Sequence, residues 1–285
     1  MVLYSQQFWD GRPPFVGALL MPVEIVVCVK QVMDPETPAY TYRIDPATRR
    51  ITSATGTPAV INGFDENAVE AALRIKDKQG ANVTVLSVGS QFTADVMKRP
   101  LSMGADQMVL AQDEAFGNLD SFAVAYVLAE AIKKIGKFDL ILAGRQASDW
   151  DNAQVPLALA EMLGVPCVTV AQKVEPNAGK VSVQRTLPGG YEVVEAPLPA
   201  VVTVSNALGE PRYANIRGIM AASRKKPTVW SAKDLGLDPA RLAPRVQVLD
   251  LAVPNKQKQV EIITGDNDAD AGRKLALKLR EAKLI

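Results

Sequence analysis

The sequence predicts an α/β fold: a doubly wound, mainly parallel sheet with helices on both faces, then a β-hairpin and an extended C-terminal arm ending in a helix. Three observations predict it. Short unbroken apolar runs recur through residues 25–170, as strands covered on both faces require. Segments of helical apolar spacing stand between them, several closed by a glycine. After Ala171 that alternation stops, and hairpin and loop signals replace it.

Ile25-Val26-Val27-Cys28-Val29 is the first strand. A long excursion through Asp34-Pro35, Asp45-Pro46 and Gly56 carries turn signals. From Glu66 to Lys78, Val69, Ala72, Leu73 and Ile75 fall at helical spacing, and Gly80 stops the helix. Val83 to Val88 is the second strand, ending at Gly89. Residues 91–103 read as a helix that Pro100 must end or kink, because proline lacks the N–H donor. Met108-Val109-Leu110 is a strand, Leu119 to Ile135 a helix closed by Gly136, and Leu140 to Ala143 a strand. Val155 to Leu163 forms a helix ahead of Gly164, and Cys167 to Val170 closes the series. Five buried strands with intervening helices specify a parallel sheet.

Beyond them, Val181-Ser182-Val183 and Tyr191-Glu192-Val193-Val194 flank Pro188-Gly189-Gly190 as an antiparallel hairpin. Ala200 to Val204 is a further apolar strand. Residues 207–258 show no convincing periodicity and read as a loop-like arm, a length that in compact proteins goes with function or a partner. A final helix spans Asp268 to Lys283. The expected organisation is a disordered extension at 1–20, an α/β domain at 21–206, and an arm with its helix at 207–285.

Composition narrows the chemistry. The 285 residues are 48% apolar and 22% charged, which suits a globular chain. A net charge of +1 gives no nucleic-acid footprint. There is no histidine, which excludes Ser–His and Cys–His nucleophilic machinery and His-ligated zinc or haem. Cys28 and Cys167, the two cysteines, cannot build a four-thiolate cluster, and each sits in an apolar run as a small buried hydrophobe. Any redox chemistry therefore requires an organic cofactor. No apolar run approaches the roughly 20 residues of a membrane span. The first 20 residues lack the basic start of a secretory signal, so Met21 is read as the natural start and the cytoplasm as the expected location.

In an open parallel sheet, ligands bind outside the carboxyl ends of the strands. Three loops qualify: Cys28-Val29-Lys30, Val88-Gly89, and the stretch from Gly144 to Val155. The last reads Gly144-Arg145-Gln146-Ala147-Ser148-Asp149-Trp150-Asp151-Asn152-Ala153-Gln154-Val155. It supplies a glycine, a cation, amides and an Asx-rich helix start whose free backbone donors could hold a phosphate. Asp149, Asp151 and Asn152 are also ordinary N-cap types. Two carboxylates would repel a phosphate, so Arg145 or Lys30 has to compensate. Neither GxGxxG nor a Walker A loop is present, which argues against a dinucleotide dehydrogenase and a P-loop ATPase. The run Arg224-Lys225-Lys226 reads as solvated charge or, beside Ile216 and Met220, as a docking surface.

Leu198-Pro199-Ala200-Val201-Val202-Thr203-Val204, Glu210-Pro211-Arg212-Tyr213-Ala214, Ile219-Met220 and Lys225-Lys226 together resemble the signature segment of electron transfer flavoprotein beta subunits. Val27-Cys28-Val29-Lys30-Gln31-Val32 resembles that family's opening strand, and Asn62-Gly63-Phe64-Asp65-Glu66 the start of its first long helix. Met103-Gly104-Ala105-Asp106 and Gly144-Arg145-Gln146-Ala147 match as well. The likeness covers residues 22–285.

The resemblance implies a partner, a larger alpha subunit whose mobile domain carries the electron-transferring FAD. It implies AMP in this subunit or, in an electron-bifurcating branch, a second FAD that takes hydride from NADH. By position the nucleotide would meet Cys28, Asn62, Gly63, Phe64, Asp65, Val88 and residues 144–155. The loop around Ile216 and Met220 resembles the one that docks acyl-CoA dehydrogenases. Such a subunit shuttles electrons between flavoprotein dehydrogenases and a quinone reductase or other acceptor, and is not a stand-alone enzyme. The AMP-type loop carries Asn and Thr where this chain has Ala153 and Val155. Asp151-Asn152-Ala153-Gln154-Val155 is closer to the bifurcating pattern Asp-Thr-Ala-Gln-Val, although Trp150 and Pro156 replace a small residue and a glycine. AMP and a second FAD both stay open, with a slight lean to FAD. A regulatory nucleotide-binding module on the same sheet is the alternative, but it would not need the 180–230 segment.

Overall fold

The structure, a computed structural model, describes residues 22–46, 49–53, 58–253 and 260–285. The extension expected at 1–20 lies outside the described residues.

Five strands come first: β1 (Val23–Cys28), β2 (Gln31–Met33), β3 (Tyr42–Asp45), β4 (Arg50–Ser53) and β5 (Ala59–Ile61). Next are α1 (Gly63–Gln79), β6 (Ala81–Gly89), α2 (Ala94–Met97), α3 (Arg99–Met103), β7 (Gln107–Gln112), α4 (Ser121–Ile135), β8 (Leu140–Gly144) and α5 (Val155–Leu163). The chain then forms β9 (Cys167–Asn177), β10 (Lys180–Leu187), β11 (Gly190–Pro197) and β12 (Ala200–Val204). The last elements are α6 (Ile216–Arg224), β13 (Thr228–Trp230), α7 (Pro239–Leu242) and α8 (Asp268–Glu281).

One nine-stranded sheet organises the chain, in the order β11-β10-β9-β12-β8-β1-β6-β7-β13. The run from β9 to β13 is parallel throughout. The period of two along each strand splits the core into two layers. Ile25, Val27, Val83, Val85, Leu140, Leu142 and Val202 face one layer with Ala68, Val69, Ala72 and Leu73 of α1. Val26, Leu86, Ile141 and Val201 face the other, with Ala125, Leu128 and Ile132 of α4 and Leu159 of α5. Burying each large aliphatic side chain contributes about 1.5–3 kcal/mol, so burial on both faces makes these strands the stable frame. Among the described residues no helix is long and apolar enough to cross a membrane.

Several sequence expectations are corrected. The helix expected at 91–103 is two short ones meeting at Lys98, with Pro100 in the first turn of α3, where its missing donor costs nothing. Cys167 to Val170 does not close the parallel series. β9 runs on to Asn177 and turns into the hairpin strands, while β12 inserts between β9 and β8. The hairpin itself pairs Leu187 with Gly190 across Pro188-Gly189, as its turn residues require. The stretch read as loop-like contains α6, β13 and α7, and β13 pairs with β7 as an edge strand of the main sheet. The last helix ends at Glu281 rather than Lys283.

This later segment is anchored by polar and aromatic contacts. Glu70, 4% exposed on α1, accepts hydrogen bonds from Arg74 Nε and Arg212 Nε, both at 2.8 Å, and from the Arg212 N–H. Burial raises the Glu70 carboxyl, but those donors more than offset it and hold it below its ordinary value. Farther on, the Arg241 guanidinium lies 3.9 Å from the Tyr126 ring centre and that of Arg245 3.4 Å from the Phe122 ring centre.

Candidate functional site

Parallel pairing brings the carboxyl ends of β12, β8, β1 and β6 to one edge of the sheet. The loop from Gly144 to Val155 leaves β8 at that edge, directly beside the start of α1.

The contact there is close. A Cβ at Gly144 would overlap Asp65 Oδ1 and come within 2.7 Å of Phe64 Cβ, so only glycine fits. The Gly144 N–H donates to Asp65 Oδ1 at 2.9 Å, and the Lys30 N–H to Asp65 Oδ2 at 2.8 Å. Asn62, just before the helix, donates from Nδ2 to the Gln146 carbonyl at 2.8 Å and accepts from the Ser148 N–H at 3.2 Å. Burial pushes the Asp65 carboxyl up to about 7, against the opposing pull of the Lys30 N–H, the Asn62 amide, the Gly144 N–H and the Lys30 charge.

The two loop carboxylates are occupied. Lys30 Nζ sits 2.6 Å from Asp149 Oδ2, and Gln146 Nε2 donates to Asp151 Oδ1 at 2.7 Å. Lys30 therefore supplies the compensating cation. Arg145 does not: its guanidinium lies 4.7 Å from the Phe64 ring centre, and its buried Nε has no hydrogen-bond partner among the described residues.

Asp151 and Ala153 have φ values of 51° and 53°, conformations that non-glycine residues rarely adopt. Asn152 Nδ2 reaches Ser121 Oγ at 3.4 Å. The backbone N–H groups of Asn152, Ala153, Gln154 and Val155 find no acceptor among the described residues. They lead into α5, where Pro156 is buried in the first turn. Trp150 lies at the loop's outer side, 55% exposed.

Thus Asn62, Asp65, Gly144, Gln146, Ser148 and Asp149 form one bonded unit with Lys30. Phe64 joins it through Arg145, Asp151 through Gln146, and Gly63 is exposed beside it. Cys28 lies next to Ala143 in register but is buried, and its thiol is pushed up to about 12 by burial and the Asp65 charge. It stays protonated and unreactive. Val88, half-buried, packs on the α4 layer, and no hydrogen bond links it to the loop among the described residues. Sequence reasoning placed Lys30 in a candidate ligand loop and named it as a possible counter-charge, but not among the residues expected to meet the nucleotide; its signal was a cation two residues past a strand end. Ser121 gave no such signal.

Ile216 and Met220 lie elsewhere, and not in a loop. They belong to α6, capped by Asn215, whose Oδ1 accepts from the Gly218 N–H at 2.8 Å. Gly218 and Ala222 turn towards the body, where a Cβ on Gly218 would overlap the Ser102 carbonyl. Ile216, Ile219 and Met220 are exposed at 77%, 54% and 56%. Lys225 of the basic run is tied down, donating to the Ala105 carbonyl at 2.7 Å. Among the described residues there is no group of three or more His, Cys, Asp or Glu side chains that could hold a metal ion.

The family model for the electron transfer flavoprotein domain matches residues 51–235. The chain is 38% identical over 267 residues to the caffeyl-CoA reductase-Etf complex subunit CarD of Acetobacterium woodii, covering 92% of this chain and 100% of that protein. It is 42% identical over 220 residues to the electron transfer flavoprotein subunit beta of Clostridium acetobutylicum, covering 77% and 83%. With the electron transfer flavoprotein subunit beta of Thermoanaerobacterium thermosaccharolyticum it shares 38% over 267 residues, again 92% and 100%.

Proposed function

The chain belongs to the electron transfer flavoprotein family, among its beta subunits, and on that premise we propose that it works in a heterodimer with an alpha subunit. The heterodimer carries electrons from a flavoprotein dehydrogenase acting on acyl-CoA substrates to a quinone reductase or other acceptor. The name of the CarD relative, a subunit of a caffeyl-CoA reductase-Etf complex, supports a CoA-ester partner. The family match includes the whole of the 180–230 segment that a regulatory module would not need.

Within this subunit, the loop from Gly144 to Val155 holds the phosphates of an adenine nucleotide, either AMP or a second FAD. The observation that carries this reading is the run of four backbone N–H groups, Asn152 to Val155, without an acceptor among the described residues. Free donors leading into a helix start suit an anion, and the loop's own carboxylates are already engaged by Lys30 and Gln146. The donor set therefore fits a phosphate. The likeness of Asp151 to Val155 to the bifurcating pattern favours FAD, with NADH as hydride donor. A flavin bound there would supply the electron-transfer chemistry, while this chain's residues fix its position and exclude competing contacts. Docking of the dehydrogenase falls to the exposed apolar face of α6 at Ile216, Ile219 and Met220.

The test is to purify the chain with its partner subunit and quantify flavin and AMP. One adenine nucleotide is expected beyond the FAD of the alpha subunit, as AMP or as a second FAD. A complex holding a single FAD and no other nucleotide sinks the loop assignment.

A further inference from the structure

The side chains that begin α1 are fully engaged before any ligand arrives. Asn62 is 1% exposed and Asp65 6% exposed, and each polar side-chain atom of both already has a partner within the protein. Buried in these ties, they are not open to a nucleotide. What they hold is the loop: Gly144 through its N–H, Gln146 through its carbonyl, Ser148 through its N–H. Asp65 also holds the Lys30 N–H, and the Lys30 side chain reaches on to Asp149. One helix start thus fixes the loop at three points, and Lys30 adds a fourth at Asp149, before the free donors of 152–155.

We propose that Asn62 and Asp65 are positioning residues that preset the Gly144–Val155 loop for its nucleotide, and that the set conformation requires Asp65 as a carboxylate. This rests on the nucleotide reading above. The ten-residue connection from Arg145 to Gln154 would otherwise sample many conformations, and ordering it on binding would subtract from affinity. Ties made in advance remove that cost. Asp65 must accept two N–H groups from opposite sides, which a carboxylate does with both oxygens. A protonated acid or an amide presents a donor to one of them and loses a tie.

Burial places the Asp65 carboxyl near 7, so the ties respond to pH around neutrality. The groups facing it are few. Lys30 and Cys28 come from β1 and its end, Arg145 and Asp149 from the loop, and the neighbouring Glu66 turns away to pair with Arg99. The Cys28 thiol, pushed up to about 12, stays neutral over this range. Nucleotide affinity should then strengthen as pH rises through about 7.

The experiment uses the heterodimer stripped of nucleotide, with AMP and FAD as probes at pH 6 and pH 8. Asp65→Asn should bind roughly tenfold or more weakly at pH 8. The deficit should shrink at pH 6, and taking the ratio to the native protein cancels titration of the probe's own phosphate. Asn62→Ala, which removes the ties to Gln146 and Ser148, should also weaken binding severalfold, and it serves if Asp65→Asn does not fold. Native affinity in the variants that fold overturns the positioning role alone, and an Asp65→Asn deficit equal at both pH values overturns its response to pH. A native complex that binds neither probe overturns the nucleotide reading and this role with it.

Discussion

Asp65, Gly144 and Glu70 show how much depends on single residues that tie distant stretches of chain together. Gly144→Ala would drive a methyl into Asp65 and Phe64, and should cost about 1–3 kcal/mol, read as a lower urea midpoint with an unchanged slope. Lys30→Met leaves the fold intact but frees the charge of Asp149 beside the proposed phosphate. It should lower nucleotide affinity severalfold, and more at low salt. Glu70 gives a signed pH effect. Its folded carboxyl lies below the ordinary 4.5, so its stabilisation is fully present above that value and lost as pH falls through the lower folded one. Unfolding free energy should therefore drop on acidification below about pH 4.5 in the native protein. The drop should be smaller in Glu70→Gln, which starts out less stable. Of these ties only the Lys30 charge was anticipated in the sequence, and those of Asp65 and of Glu70 to Arg212 were not. Asp65 bonds to residues 35 and 79 positions away, and nothing in a local pattern reports such a pairing.

At the scale of elements, the strands were the most legible. Burial on both faces makes them continuous apolar runs, and helices such as α4 and α5 repeat at a clear period and end at Gly136 and Gly164. α6 was missed for a physical reason. It meets the body through the small residues Gly218 and Ala222 and turns Ile216, Ile219 and Met220 outward, so its periodicity is inverted. β13, three residues long, carried too little pattern to read. The two faces of α6 give separable predictions. Ile216→Ala should slow electron transfer to the dehydrogenase, in line with burial of about 1–2 kcal/mol, with flavin content and stability unchanged. Higher salt should slow association of the native protein as the nearby cations are screened. Gly218→Ala should instead disturb packing on α3 and lower the thermal midpoint. An Ile216→Ala protein that reacts at the native rate would remove α6 from the docking assignment.

Across the whole molecule, cohesion falls off toward the carboxyl end. The nine-stranded sheet has two buried layers, whereas α8 has no buried residue and leaves Leu275 and Leu277 about half exposed. Limited proteolysis of the chain alone should remove the region of α8 first, and the alpha subunit should protect it. Equal resistance with and without the partner would argue that α8 plays no part in pairing. The sheet's order could not be read from sequence, because adjacency of β12 to β8 is a choice of topology that no single strand encodes. That insertion has a consequence for synthesis. While residues 145–199 emerge from the ribosome, one side of β8 has no partner strand, and β9 lacks its parallel neighbour until β12 exists. The nascent chain must keep an apolar strand edge uncommitted for that interval. A ribosome stalled before residue 200 should hold a protease-sensitive chain that chaperones engage, and one stalled after β12 clears the exit tunnel should not.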